Sequence, residues 1–145
     1  MGNRRTDRQL ALQLLFSIDI NPTPIENAIK DFRLCFANSE PTPFFLQIVN
    51  GVAVLWSEID TFIQKTSKNW TINRMSAIDR NILRIGVYEL LYCEDIPARV
   101  SINEAIDISK KFGTYESGAF INGILDKINK ELQEKNKNIG GNCDT

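Results

Sequence analysis

Three arginines, Arg4, Arg5 and Arg8, stand in the first eight residues against a single acid, Asp7. They fall where a helix would begin, and the unpaired N–H groups of a helix start already favour anions, so this end of the chain suits a phosphate. On a helical wheel Arg5, Gln9, Leu12 or Gln13, and Phe16 follow one side, away from a stripe of Leu10, Ala11, Leu14 and Ile18. Guanidinium, amide and ring in a row suit single-stranded RNA, whose backbone is held by charge and whose bases stack on planar groups. A second constellation lies near the end of the chain. Glu116, Phe120, Gly123 and Lys127 edge an apolar arc of Ile121, Ile124, Leu125, Ile128 and Leu132, with Lys110 and Lys111 just upstream. Phe120 is at the border of that arc, where core packing and stacking on a flat ligand are both open to it. If the first and last helices are neighbours, these arginines, lysines and Phe120 make one groove.

Other chemistry is excluded by what is missing. There is no histidine, which removes the commonest general base, the Ser/His and Cys/His pairs, and every zinc site that needs imidazole. Glu104 and Asp107 lie one turn apart on a polar helix face, which reads as solvated surface rather than an acid–base pair. No catalytic residue, metal or cofactor is therefore expected. Cys35, Cys93 and Cys143 are widely spaced and odd in number, against a disulfide framework and in favour of a cytoplasmic setting. The first two read as buried apolar groups and the third as an exposed tail thiol. With 17 Lys and Arg against 18 Asp and Glu the net charge is −1, so an anionic partner must be met by a local patch. Residues 19–60 are acid-rich and should repel RNA.

Holding such side chains takes helices. The chain's 145 residues, 43% of them hydrophobic, are enough for one domain with a core. Apolar periodicity between Pro22/Pro24, Pro41/Pro43, Pro97 and Gly113 predicts helices over about 4–19, 24–37, 43–67, 76–94, 101–112 and 116–133. The expected fold is all-α, two packed three-helix bundles in one domain over 1–133, with subdomains of about 1–70 and 71–133 and a frayed polar tail over 134–145. Apolar residues surround much of 76–94, which marks it as the central helix. Ser76 with Asp79 and Ser101 with Glu104 read as capping boxes, and Gly113 as a left-handed stop. Trp56 and Trp70 read as core or inter-subdomain packing. The basic start before residues 10–18 imitates a targeting signal, but Gln9 and Gln13 interrupt the run, and no stretch is long enough to span a membrane.

Three segments, NRRTDRQLALQLLFSIDI, DRNILRIGVYELLY and SINEAIDISKKFGTYESGAFINGILDKI, together resemble the NusB family of bacterial transcription antitermination factors over about residues 3–132. The resemblance implies a small all-α adaptor, not an enzyme. It would bind the boxA element of nascent RNA with the ribosomal small-subunit protein NusE and join the RNA polymerase antitermination complex. It carries the family's arginine-rich motif onto Arg4, Arg5 and Arg8, its first-helix RNA positions onto Gln13 and Phe16, and its acidic-plus-aromatic RNA edge onto Glu116 and Phe120. It places the partner face at Asp79, Arg80 and Arg84. The residues alone also leave room for a helical interaction module or homodimer without specific RNA binding, which an RNA titration separates from the adaptor.

Overall fold

The computed structural model describes residues 3–33 and 40–143, with residues 136–143 described by backbone alone. Its helices are α1 Arg4–Ile20, α2 Ile25–Phe32, α3 Pro43–Val54, α4 Trp56–Thr66, α5 Ala77–Tyr92, α6 Ala98–Phe112 and α7 Ser117–Cys143, with a 3-10 turn over Ile72–Arg74. No strand occurs among the described residues, and the fold is all-α. The end of the helix expected over 24–37 and Cys35 lie outside the described residues, as does the side chain of Cys143.

Local chemistry explains several starts. The Asn3 side chain accepts from the Thr6 N–H at 2.7 Å, Thr42 Oγ1 from Phe45 at 3.1 Å ahead of Pro43, and Ser76 Oγ from Asp79 at 3.0 Å. Four expectations are corrected. The helix expected over 43–67 breaks at Leu55 (φ −103°, ψ 17°) into α3 and α4. Ser101 is not a cap. The helix starts earlier, at Ala98 after Pro97, and the buried Ser101 hydroxyl donates to Glu89 Oε1 at 2.9 Å. Gly113 is extended rather than left-handed (φ −95°, ψ −164°), and glycine is needed there because a Cβ would lie 2.8 Å from Ser117 Cβ and 2.9 Å from the Ser109 carbonyl. The last helix also runs on past residue 133 to Cys143.

α5 is the central helix. Every residue from Asn81 to Glu89 is buried, and α5 packs against α1, α3, α4, α6 and α7. One continuous core results, from Leu12 and Leu15 of α1 through Phe45 and Ile48 of α3 to Leu125 and Ile128 of α7. Gly86 permits the close approach of α7, since a Cβ there would sit 2.8 Å from a Leu125 methyl. Leu12 is core, so Gln13 is the exposed member of the pair that the wheel left open. Cys93 is buried as expected, and burial together with the nearby Glu89 and Asp95 charges pushes its thiol up to about 11.

Candidate nucleic-acid interface

The arginines of α1 separate into two kinds. Arg4 and Arg5 are exposed. Arg4 pairs with Asp95 at 3.0 Å and lies 4.8 Å from the Phe44 ring centre, and Arg5 makes two 3.1 Å hydrogen bonds to Glu104 and one of 3.3 Å to Asp107. Exposed pairs of this kind are worth little and open readily to a competing phosphate. Arg8 is different and corrects the expectation. Only 3% exposed, it forms a two-pronged pair with the buried Glu89, at 2.8 Å and 2.6 Å, under the Phe44 ring. It is a core ion pair and offers no donor to a ligand.

Beyond these arginines α1 meets α6, since Lys111 Nζ donates to Gln9 Oε1 at 3.2 Å. The start of α1 is thus tied to α6, whereas the expected neighbour was the last helix, and these contacts bring Arg5, Gln9 and Lys111 together. Gln13 is exposed and Phe16 half-buried further along α1. Lys110 lies 3.9 Å from Asp107, the carboxylate that Arg5 also meets, and edges a groove of about 770 Å³ between α6 and α7, with Tyr115, Glu116, Ala119 and Asn122 among its walls.

Phe120 does not line that groove. Half-buried, it belongs to an adjoining cleft of about 250 Å³ that also holds Trp70, Arg74, Met75, Ser76 and Asp79. Thr114 and Glu116 line both hollows and form the ridge between them. One track therefore runs from Arg5 past Lys111, Lys110 and Glu116 to Phe120. Lys127 is exposed two turns further along α7 and lines neither hollow.

The three residues expected on a partner face are not a surface set. Arg84, 3% exposed, is held by Asp60 at 2.8 and 3.0 Å, by Asp19 at 3.0 Å and by Asn81 at 2.9 Å, and lies 3.9 Å from the Trp56 ring centre. Arg80 is turned into Asp19 at 2.6 Å and the Met75 carbonyl at 3.3 Å. Asp79 faces the Phe120 cleft. Trp56 packs as expected, but Trp70 is 54% exposed and belongs to the cleft wall, as does Arg74. The exposure of Trp70 corrects its reading as packing, and Arg74 was passed over within a connecting segment. Their signal was an aromatic and a cation where no apolar period asks for either. Tyr115, fully exposed in the turn before α7, carried the same signal.

Among the described residues no group of His, Cys, Asp or Glu is placed to hold a metal ion, and no helix is long and apolar enough to cross a membrane.

A profile of the NusB family matches residues 5–130. The transcription antitermination protein NusB of Desulfosudis oleivorans is 46% identical, over 100% of this chain and 97% of its own length. That of Desulfatibacillum aliphaticivorans is 49% identical, over 94% and 96%. Among solved structures, T. maritima NusB matches with a TM-score of 0.82 at 36% identity, over 90% of this chain and 92% of its own. A crystal structure of the antitermination factors NusB and NusE in complex with double-stranded RNA matches with a TM-score of 0.77 at 25% identity, over 88% and 96%.

Proposed function

Because the chain belongs to the NusB family, we propose that it is an RNA-binding adaptor of transcription antitermination. In this reading it takes boxA-type single-stranded RNA together with a NusE-type ribosomal small-subunit protein, presents both to the transcribing polymerase in the cytoplasm, and makes or breaks no covalent bond. The observation that carries it is the track from Arg5 through Lys111 and Lys110 to Phe120. In a chain of net charge −1, this strip sets exposed cations beside aromatic edges, as an RNA backbone and its bases require. Arg4, Arg5, Gln13, Phe16, Lys110, Lys111, Glu116, Phe120 and Lys127 remain its proposed RNA residues, and Arg8 is withdrawn from them. A relative bound to NusE and RNA supports the pairing. For the protein partner we propose the face around the Asp19–Arg80 pair, where Ile20 and Val54 are exposed and Ile18, Ile25 and Trp56 half-buried. A gel shift with boxA RNA at stated salt, with and without the NusE-type protein, tests the reading. No shift in either lane would overturn it.

Arg4→Ala with Arg5→Ala should weaken RNA binding without lowering the melting temperature. Each lost phosphate contact should flatten the salt dependence of the binding constant by about 0.7 in log–log slope. An unchanged slope in a salt titration would remove the start of α1 from the site.

Phe120→Ala should cost about 1–3 kcal/mol of RNA affinity, the worth of a stacked base. Truncating a fully buried phenylalanine costs about 3–5 kcal/mol of stability, and this ring is only half-buried, so the loss on melting should be smaller. Parallel melting curves and RNA titrations decide it. A large drop in stability with parental RNA affinity would make the ring a core residue and nothing more.

A further inference from the structure

The first cation of the RNA track is already occupied. Arg5 Nε donates to Glu104 Oε2 and Arg5 Nη2 to Glu104 Oε1, both at 3.1 Å, and Nη2 also donates to Asp107 Oδ2 at 3.3 Å. A guanidinium has five N–H donors, one on Nε and two on each terminal nitrogen, and it grips an oxyanion through a neighbouring pair of them. Glu104 fills the fork between Nε and Nη2. Asp107 takes the second Nη2 proton, which the other fork, between Nη1 and Nη2, requires. A phosphate can therefore grip Arg5 with two prongs only by displacing a carboxylate. The Glu104 side chain is 18% exposed against 58% for Arg5, so the acid is the seated member of the pair and the arginine the free end. Asp107 is also 3.9 Å from Lys110 Nζ, so two cations of the track share it. Arg4 is less encumbered, with a single contact to Asp95, and Lys111 donates instead to the neutral Gln9.

Glu104 and Asp107 stand where an RNA phosphate would stand, and each offers the guanidinium charged oxygens as a phosphate does. We infer that these two carboxylates are an autoinhibitory pair, which holds Arg5 in the free protein, yields it to an RNA phosphate, and so sets the threshold for RNA binding. The inference rests on the RNA-binding reading and adds to it a regulation of the same site. Opening the pair costs every RNA the same. At a given concentration that cost removes weak binding by charge alone, and it leaves occupied a site whose RNA also makes base contacts. Once displaced, the carboxylates remain beside the phosphate and repel it, which adds to the same threshold.

The test titrates the full chain, with the NusE-type protein present and at one stated salt, against fluorescently labelled single-stranded boxA RNA. Glu104→Gln should tighten binding about threefold, the scale of one exposed ion pair, and Glu104→Gln with Asp107→Asn about tenfold. In an Arg5→Ala background the same double change should gain at most about twofold, because no guanidinium is left to release. Asp107→Asn alone, at an exposed side chain, should gain about twofold, and it keeps the test decisive if melting curves show that Glu104→Gln does not fold. In the parent protein labelled with nitrogen-15, the Arg5 Nε–H resonance should move as RNA is added and its carboxylate partner is exchanged. Unchanged affinity in the double variant overturns the inference. Weaker binding overturns it as well, and would make Glu104 a support that aims Arg5 at the RNA. A gain of full size in the Arg5→Ala background would be plain repulsion of RNA by acids and would overturn it too. Parental affinity in Arg5→Ala alone removes Arg5 from the site and overturns the inference while RNA binding stands. No binding by the parent or any variant overturns the RNA reading and this inference with it.

Discussion

Arg84→Glu should leave the protein largely unfolded. The guanidinium ties three helices at one point, holding Asp60 of α4 with two hydrogen bonds, Asp19 at the end of α1 with one, and Asn81 of its own helix with another. Removing one partner of a buried ion pair costs about 3–5 kcal/mol, because the remaining charge stays buried and unpaired. Glutamate does worse, placing a third carboxylate against Asp19 and Asp60. Total stabilities are only about 5–15 kcal/mol, so the loss is a large part of the whole. Arg84→Met should show the milder cost, and chemical denaturation followed by circular dichroism measures both. A soluble, helical Arg84→Glu protein with the parental midpoint would show that this junction does not hold the fold.

The same junction has a pH signature. Burial alone would raise the Asp19 carboxyl, but the hydrogen bond from Arg80, the Arg84 charge, and further hydrogen bonds from Asn81 and Arg84 outweigh it and hold the group below its ordinary value of 3.8. A carboxyl depressed by folding contributes stability that is fully present above the unfolded value and is lost as pH falls through the folded one. Stability should therefore decline with acid below 3.8, and Asp19→Asn should remove this part of the decline.

The contrast between local and tertiary signals explains what was legible in the sequence. The Ser76 cap was readable because donor and acceptor lie three residues apart. Ser101 carried the same signature and misled, because its hydroxyl is claimed by Glu89 from another helix. The break at Leu55 has neither proline nor glycine to mark it. Helix periodicity found the central helix and the all-α class because apolar residues around the whole of α5 require neighbours on several sides. It failed on Arg8 and Arg84 because a wheel sends every charge outward, and only the fold supplies Glu89, Asp19 and Asp60 to meet them. The RNA track was half-legible for the same reason. Its cations could be named from their positions, but the neighbourhood of α1 and α6 rests on contacts such as Gln9 with Lys111, which lie 102 residues apart.

Arg8 gives the sharpest separation of a structural role from a binding role. The resemblance to the family places it with Arg4 and Arg5, whereas the structure buries it against Glu89, 81 residues away, with Ser101 completing the carboxylate's hydrogen bonds. Arg8→Met should therefore cost about 3–5 kcal/mol of stability, since Glu89 would keep its charge in the core with only a hydroxyl to meet it. Adding Glu89→Leu should recover most of that loss, because replacing both members of a buried pair by apolar groups of similar size is often neutral or stabilising. The double variant then isolates function. Folded but lacking the guanidinium, it should bind boxA RNA with the parental affinity and salt slope, because a donor already spent inside the core releases no counterion when RNA binds. A stable double variant whose salt slope falls by about 0.7, the signature of one lost phosphate contact, would mean that Arg8 leaves Glu89 when RNA arrives. The start of α1 would then rearrange on binding, exchanging a protein carboxylate for a phosphate.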